Sequence, residues 1–527
     1  MKINRRSFIV ALVALTAVLA LIGSASAQDP PIPSGGDTTL PDYIGAPAKA
    51  HPLANSRAPQ NPFLAPNPYS HPHNDTWNSD TVDIAAPLGR DPRVWSSTLA
   101  SVPPDSSLPL FFCGTMGFDS HGRPFMACAT FGQADVVLAD KDTLEALAYH
   151  PIPPPTSRLN ALGMFYFYID PSDQITIAAF PNQIWVLAEI ETPTGVTLNK
   201  VKSYDLSTLV PAGDNIAGVM VDWQQRLWFT LAGAGPDPAR VCVLAPANYT
   251  ATNPGAKCVQ FGKDAKGDNE LIRNTFALTK DGAYVVSSLN MYRIGAGADN
   301  QPYVVWSEPY QTIGTVKPGQ YSLGSGTSPT IVGNGKYVGI TDNAEQLHVV
   351  VFRTAERLGP NEKRIVCEQP VFPNGHGADE NSLVGSGLSF LAENNYGYDY
   401  DFSTGKMLSP SEPGFARVDV DPNGKGCSLG WTNDEVASVV SGHLSTRTGL
   451  YYTLSRKWDT GKIDATHPWG LDVYYWTALD WRTGKVVWEK QAGTGAGYDG
   501  WYPGVGIAND TMYLGEYGGL LALRDAP

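Results

Sequence analysis

Ala217-Gly218-Val219-Met220-Val221-Asp222-Trp223-Gln224-Gln225-Arg226-Leu227-Trp228-Phe229-Thr230 reads as an apolar strand, a tight polar turn and a second apolar strand. β-Branched and aromatic side chains fit an extended backbone, and Asp, Asn and Gly tolerate the turn between two such runs. The same unit recurs at Phe118-Asp119-Ser120-His121-Gly122-Arg123 and Ile169-Asp170-Pro171-Ser172-Asp173-Gln174. Further copies centre on Lys280-Asp281-Gly282, Gly333-Asn334-Gly335, Gly385-Ser386-Gly387, Thr446-Arg447-Thr448-Gly449 and Ala508-Asn509-Asp510. Eight copies, spaced by roughly 50 to 62 residues, suit four-stranded units repeated around an axis. The expected fold is therefore all-β, an eight-bladed β-propeller, with a seven-bladed ring as the alternative. Only four residues follow Gly519-Leu520-Leu521-Ala522-Leu523, so the last unit is short of a strand. An N-terminal strand around Arg93-Val94-Trp95 is expected to complete it and close the ring, since closure removes exposed sheet edges.

Upstream of the repeats the texture differs. Lys2, Arg5 and Arg6 precede an apolar run from Phe8 to Ile22 and the triplet Ala25-Ser26-Ala27, the pattern of a cleaved export signal over residues 1–27. Arg5-Arg6-Ser7-Phe8-Ile9 also fits twin-arginine export. Residues 28–82 are rich in Pro, Ala, Asn and Ser and read as an arm lying over the domain, which occupies 83–527. The predicted product is secreted or periplasmic, without a membrane span once the signal is removed, and monomeric. Its net charge of −14, more negative still without Lys2, Arg5 and Arg6, argues against a nucleic-acid partner, which needs clustered Lys and Arg. Six cysteines in an oxidising compartment predict three disulfides: Cys113 with Cys128 across one hairpin, Cys242 with Cys258, and Cys367 with Cys427.

Thr477-Ala478-Leu479-Asp480-Trp481-Arg482-Thr483-Gly484-Lys485-Val486-Val487-Trp488 resembles the repeat of the quinoprotein-like propellers named for pyrroloquinoline quinone (PQQ), in which the Thr-Gly-Lys turn and following Trp dock neighbouring blades. The strand pair from Ala217 to Thr230 is similar to that of gluconolactonase and virginiamycin-lyase propellers. The first resemblance implies a possible quinone cofactor and dehydrogenase activity. Against it, one repeat alone carries the full motif, and no two cysteines adjoin, whereas many of those enzymes hold adjacent cysteines beside the cofactor. The second implies a metal held by Glu, Asn and Asp at the end of the axial channel.

Propeller geometry brings the starts of the innermost strands and the ends of the second strands to one channel mouth. The corresponding segments are polar: Asp214-Asn215, Arg273-Asn274, Asn290, Asp342-Asn343, Asp379-Glu380-Asn381-Ser382, Glu393-Asn394-Asn395, Ser455-Arg456-Lys457 and Tyr498-Asp499-Gly500-Trp501-Tyr502. Asp342, Asn343, Glu380, Asn381, Glu393 and Asn394 form an all-oxygen set of the kind calcium takes, or else cap backbone groups in tight turns. With a metal polarising a carbonyl, Glu380 or Glu393 is the expected general base, and Arg273 and Arg456 anchor a carboxylate or an oxyanion. His376 is a further acid/base candidate. Trp501 and Tyr502 are expected to stack on a ligand near Asn274 and Asn290.

His71-Pro72-His73 is the nearest approach to a histidine pair, with one ring able to enter the channel along with the arm. No Gly-x-Ser-x-Gly elbow occurs, which weakens a serine-hydrolase reading. The expected function is binding of a small organic ligand at the channel mouth, as a calcium-assisted hydrolase or lactonase. A quinoprotein-like dehydrogenase and a non-catalytic binding or scaffold propeller are the alternatives.

Overall fold

The computed structural model describes residues 29–54, 57–100, 112–130, 132–154, 162–193, 195–246, 255–401, 406–464 and 467–527. The export signal expected at 1–27 lies outside them. The chain is all-β, a propeller built of four-stranded antiparallel sheets. Sheets 1 to 5 span residues 112–152, 168–205, 216–260, 277–309 and 330–370 in uninterrupted meanders. Sheet 6 (384–433) carries an inserted hairpin, Asp399–Asp401 with Lys406–Ser409. Sheet 7 (443–494) gains Tyr43–Gly45 at its outer edge and Thr81–Val82, in parallel, at its inner edge. Sheet 8 comprises Gly506–Ala508, Thr511–Glu516 and Gly519–Arg524, with Arg93–Ser97 pairing antiparallel on Gly519–Arg524.

Each of the eight polar turns quoted above joins the first two strands of a sheet. Their chemistry is local. Asp222 Oδ1 accepts from the Gln224 and Arg226 N–H groups at 2.9 Å, while Oδ2 accepts from Arg226 Nε at 2.6 Å and Trp228 Nε1 at 2.7 Å. Asp119 and Asp170 bind the two N–H groups of their own turns in the same way. One carboxylate thus satisfies donors that the turn takes out of the ladder.

Burial explains why the inner strands read as unbroken apolar runs. Ile216–Val221 and Leu227–Leu231 are buried at every residue, while the outermost strand of the same sheet, Lys257–Gln260, is not. Sheets packed on both faces have no solvent side, so the alternation of a half-buried strand disappears. Cores are shared between neighbouring sheets: Ile184 and Tyr204 of sheet 2 pack with Val219 and Phe229 of sheet 3, and Trp476 of sheet 7 with Met512 of sheet 8. Tyr513 and Leu520 of sheet 8 share a core with Met116 and Met126 of sheet 1. Gly484, in the Thr-Gly-Lys turn, has φ +70°, and a Cβ there would lie 2.3 Å from the Trp431 ring of sheet 6, so only glycine admits this contact between neighbouring sheets.

All three expected disulfides are present. Cys113–Cys128 and Cys242–Cys258 bridge residues directly opposite in adjacent strands, and Cys367–Cys427 ties the outer strand of sheet 5 to that of sheet 6.

Candidate active site in the channel

The arm enters the channel. Inner strands leave backbone N–H groups unpaired toward the axis, and carbonyls of the arm take them in turn: Tyr69 O from Phe118, Ser70 O from Ile169, Thr76 O from Leu278, Trp77 O from Ile331, Ser79 O from Gly385 and Asp80 O from Leu444, at 2.6 to 3.2 Å. Residues 70–82 are buried as a result. To pass these sheets in so few residues the arm turns sharply, with Asn74, Asn78 and Asp80 in the left-handed region at φ +69°, +52° and +48°. Asn and Asp adopt that region most readily among residues with a Cβ. Asp75 locks the turn by accepting from the Trp77 and Ser79 N–H groups and the Ser79 hydroxyl.

This path sets a charged centre on the axis. Asp80, wholly buried, lies 2.9 Å through Oδ1 from both His73 Nδ1 and His443 Nε2. Burial alone pushes its carboxyl up, but the two imidazoles outweigh this and hold it below the usual carboxylate range. An ionised carboxylate only accepts hydrogen bonds, so His73 carries a proton on Nδ1 and His443 one on Nε2. In the neutral ring, His73 Nε2 is then a bare acceptor. It lies 3.3 Å from Ser382 Oγ and 3.5 Å from Ser328 Oγ. Tyr166 stacks on the His73 ring at 5.8 Å between centroids. His71, beside it, is driven well below the ordinary imidazole value by burial and by His73, so it is neutral.

His73 and Tyr166 border a cavity whose other walls include Glu380, Asn381 and Ser382 before sheet 6, Asn274 before sheet 4, and Trp501 and Tyr502 before sheet 8. The cavity is narrow, with a volume of about 50 Å³, so it admits only a small molecule. Glu380 is held by its own carboxylate: Oε1 accepts from the Tyr321 N–H and, at 2.7 Å, from the Ser322 N–H. Burial pushes it up to about 7, against the pull of those hydrogen bonds and of the Arg273 charge. Tyr502 sits at φ +54°, a strained conformation for a bulky residue, with its hydroxyl donating to Gly319 O at 2.8 Å.

Of the residues singled out from sequence, Glu380, Asn381, Asn274, Trp501 and Tyr502 meet at this cavity. Arg273 lies beside it, lining a smaller adjoining void with Asn274. The others go elsewhere. Glu393 is buried one layer back, accepting from Asn395 Nδ2 at 3.2 Å, and burial pushes it up to about 8. Asp342 is taken by His348, with Nδ1 2.7 Å from Oδ2. The Asn343 and Asn394 amides donate to loop carbonyls. Arg456 lies against Met407 and the Trp458 ring, Asn290 donates to Glu270, and His376 pairs with Glu412 on the surface. Of the six residues expected to hold calcium, Asp342, Asn343 and Asn394 are thus engaged by neighbouring segments and do not line the cavity that Glu380 and Asn381 border, and among the described residues no three His, Cys, Asp or Glu side chains form a metal-holding group.

The sequence placed Ser382 in a polar segment at the channel mouth without giving it a role, and His443 at a strand entry, and it did not point to Asp80. The available signal was density: His71, His73, Asn74, Asp75, Asn78 and Asp80 crowd ten residues of an otherwise Pro- and Ala-rich arm.

No family model and no curated protein matches the chain. Solved structures of similar fold include a proposed 6-phosphogluconolactonase from Bacteroides uniformis (12% identity, TM-score 0.42, 73% of this chain and 98% of that one). Others are the periplasmic gluconolactonase PpgL of Pseudomonas aeruginosa (14%, 0.38, 60% and 84%) and the Cps50 (Swd1) β-propeller domain of Myceliophteria thermophila (8%, 0.37, 78% and 96%). At these similarities any chemistry must be argued from this chain's own residues.

Proposed function

We propose that the chain is an exported, eight-bladed propeller hydrolase that cleaves small esters or lactones in its channel cavity. The observation that carries this reading is the Asp80 bridge, which leaves His73 Nε2 as a tautomer-fixed acceptor at the cavity wall. A base so oriented removes a proton from a hydroxyl as it attacks a carbonyl. Glu380, titrating near 7, is the partner of opposite role: protonated in a fraction of molecules at neutral pH, it donates to the departing alkoxide. Trp501 and Tyr502 pack the substrate's apolar part.

The core shared by sheets 8 and 1, with Arg93–Ser97 as the fourth strand of sheet 8, supports a closed ring of eight blades. Three disulfides are compatible with export to the periplasm or beyond, and no helix among the described residues is long and apolar enough to cross a membrane. The diverging donors do not fit a calcium ion, so no step is assigned to one.

The test is turnover of a panel of small p-nitrophenyl esters and five- and six-membered lactones by the purified protein, with His73→Ala as the comparison. Hydrolysis of at least one substrate that the variant fails to accelerate supports the reading. Equal rates with both proteins, or none with either, refute it. The same preparation, treated with a chelator, should keep its activity and melting temperature. A fall in both would return calcium to the site.

A further inference from the structure

Two hydroxyls face His73 Nε2, and they are not equivalent. Ser328 is 2% exposed, does not line the cavity and hydrogen-bonds Tyr166. Ser382 is 9% exposed and lines the cavity between His73 and Glu380. Its Oγ lies 3.3 Å from Nε2, on the opposite side of the ring from the Nδ1 held 2.9 Å from Asp80. Hydroxyl, imidazole and carboxylate in that order form the arrangement that activates an alcohol as a nucleophile, and slightly long contacts are usual before substrate binds. The three come from the arm and from a loop 300 residues away in sequence, so no local motif announces them.

We propose that Ser382 is a covalent nucleophile and that the site works through an acyl-Ser382 intermediate, which also lets it transfer acyl groups to small alcohols. This rests on reading the cavity as an ester-cleaving site. Ser382 Oγ bonds to the carbonyl carbon as its proton passes to His73 Nε2, and the carbonyl π pair moves onto oxygen. The Asn274 and Asn381 side-chain amides are the wall donors available to that oxyanion. When the tetrahedral species collapses, the C–O bond to the leaving group breaks and the alkoxide takes a proton from Glu380. Water then attacks the acyl carbon and gives one proton to the Glu380 carboxylate, while Ser382 Oγ leaves with the proton that His73 Nε2 has held. The sum is ester plus water to acid plus alcohol. An alcohol in place of water gives a new ester. Asp80 touches no reacting atom and is a positioning residue.

The full mature protein is to be treated with a small fluorophosphonate, followed by intact-mass and peptide analysis, and assayed in parallel for a pre-steady-state burst with p-nitrophenyl acetate. Wild type should gain one phosphonyl group on Ser382 and show a burst of about one equivalent. Ser382→Ala should lose both, with kcat/KM down by at least ~10³-fold. Ser97→Ala, which removes a buried hydroxyl in the Arg93–Ser97 strand away from the cavity, should keep both and serves as the folding control. Steady turnover with no label, no burst and a Ser382→Ala rate within tenfold of wild type would overturn the nucleophile while leaving a His73-activated water, and so the hydrolase reading, intact. Neither labelling nor turnover in any form would overturn both. Labelling at Ser382 without turnover of the panel would support the nucleophile and count against the substrate class alone.

Discussion

Asp80→Asn isolates the orienting role of the carboxylate. Asn is nearly isosteric, so the arm's path, including its left-handed turn at 80, should survive. What changes is the donor and acceptor pattern. Asp80 Oδ1 faces two imidazole nitrogens at 2.9 Å each, and the ionised group accepts from both. Asn offers one oxygen and one NH2. If the NH2 turns to His73 it pairs with an unprotonated Nδ1, which moves the ring proton to Nε2 and removes the base. If it turns to His443, the charge that favours imidazolium at His73 in the transition state is still lost. Making a buried carboxylate behind a catalytic imidazole neutral lowers kcat by about 10⁴-fold, and that is the expected size here. KM should change little, because Asp80 does not border the cavity. Stability carries a separate signature. A carboxyl held low in the folded state contributes stability that is present above its unfolded value, near 4, and is lost as pH falls through the folded value. The variant should therefore lose part of the wild-type acid sensitivity of its urea midpoint. Initial rates on the best ester from pH 5 to 9, with urea midpoints at pH 3 and 7, measure both. An Asn variant within tenfold of wild-type kcat, with an unshifted pH profile, would refute an Asp80-held base.

Glu380→Gln should remove a rate transition near pH 7, above which wild-type activity falls as the acid ionises. Because that carboxyl is raised on folding, the native state keeps its proton longer than the unfolded chain, so wild-type stability declines as pH rises from about 4.5 toward 7, and the Gln variant should show a flatter decline in thermal midpoint. Trp77→Ala empties a buried position in the core shared by sheets 4 and 5 and should cost about 3–5 kcal/mol by equilibrium urea unfolding. Replacing Cys367 and Cys427 by Ser opens a constraint across 60 residues and should cost about 4 kcal/mol, against about 3 kcal/mol for the Cys113–Cys128 pair spanning 15, on chain entropy alone. Equal losses in the two double variants would show that strain or solvation, not loop length, governs them.

The fold was largely legible. Every polar turn counted from the sequence joins the first two strands of a sheet, because Asp119, Asp170 and Asp222 do their work within five residues and need no tertiary partner. The disulfides were legible for a similar reason, two of them joining residues opposite each other in neighbouring strands. About half of the candidate site was also legible, since Glu380, Asn381, Asn274, Trp501 and Tyr502 sit at strand starts that any propeller turns toward its axis. Glu393, Asp342 and Arg456 occupy similar sequence positions, yet neighbouring loops claim them: His348 takes Asp342, and Met407 of the inserted hairpin meets Arg456. Strand position says which end of the sheet a residue occupies, but not which way its side chain turns.

By itself the sequence determined the repeat, its all-β character, the cysteine pairing and the end of the channel where polar residues gather, because each depends on periodicity or on short-range turn chemistry. Only the tertiary structure decided the centre of the site. His73 and Asp80 belong to a segment with no periodicity, and their place on the axis follows from inner-strand N–H groups of several sheets drawing the arm's carbonyls inward. That demand is made by residues 49 to 364 positions away from the carbonyls that meet it, a pairing that exists only once the sheets stand around the channel.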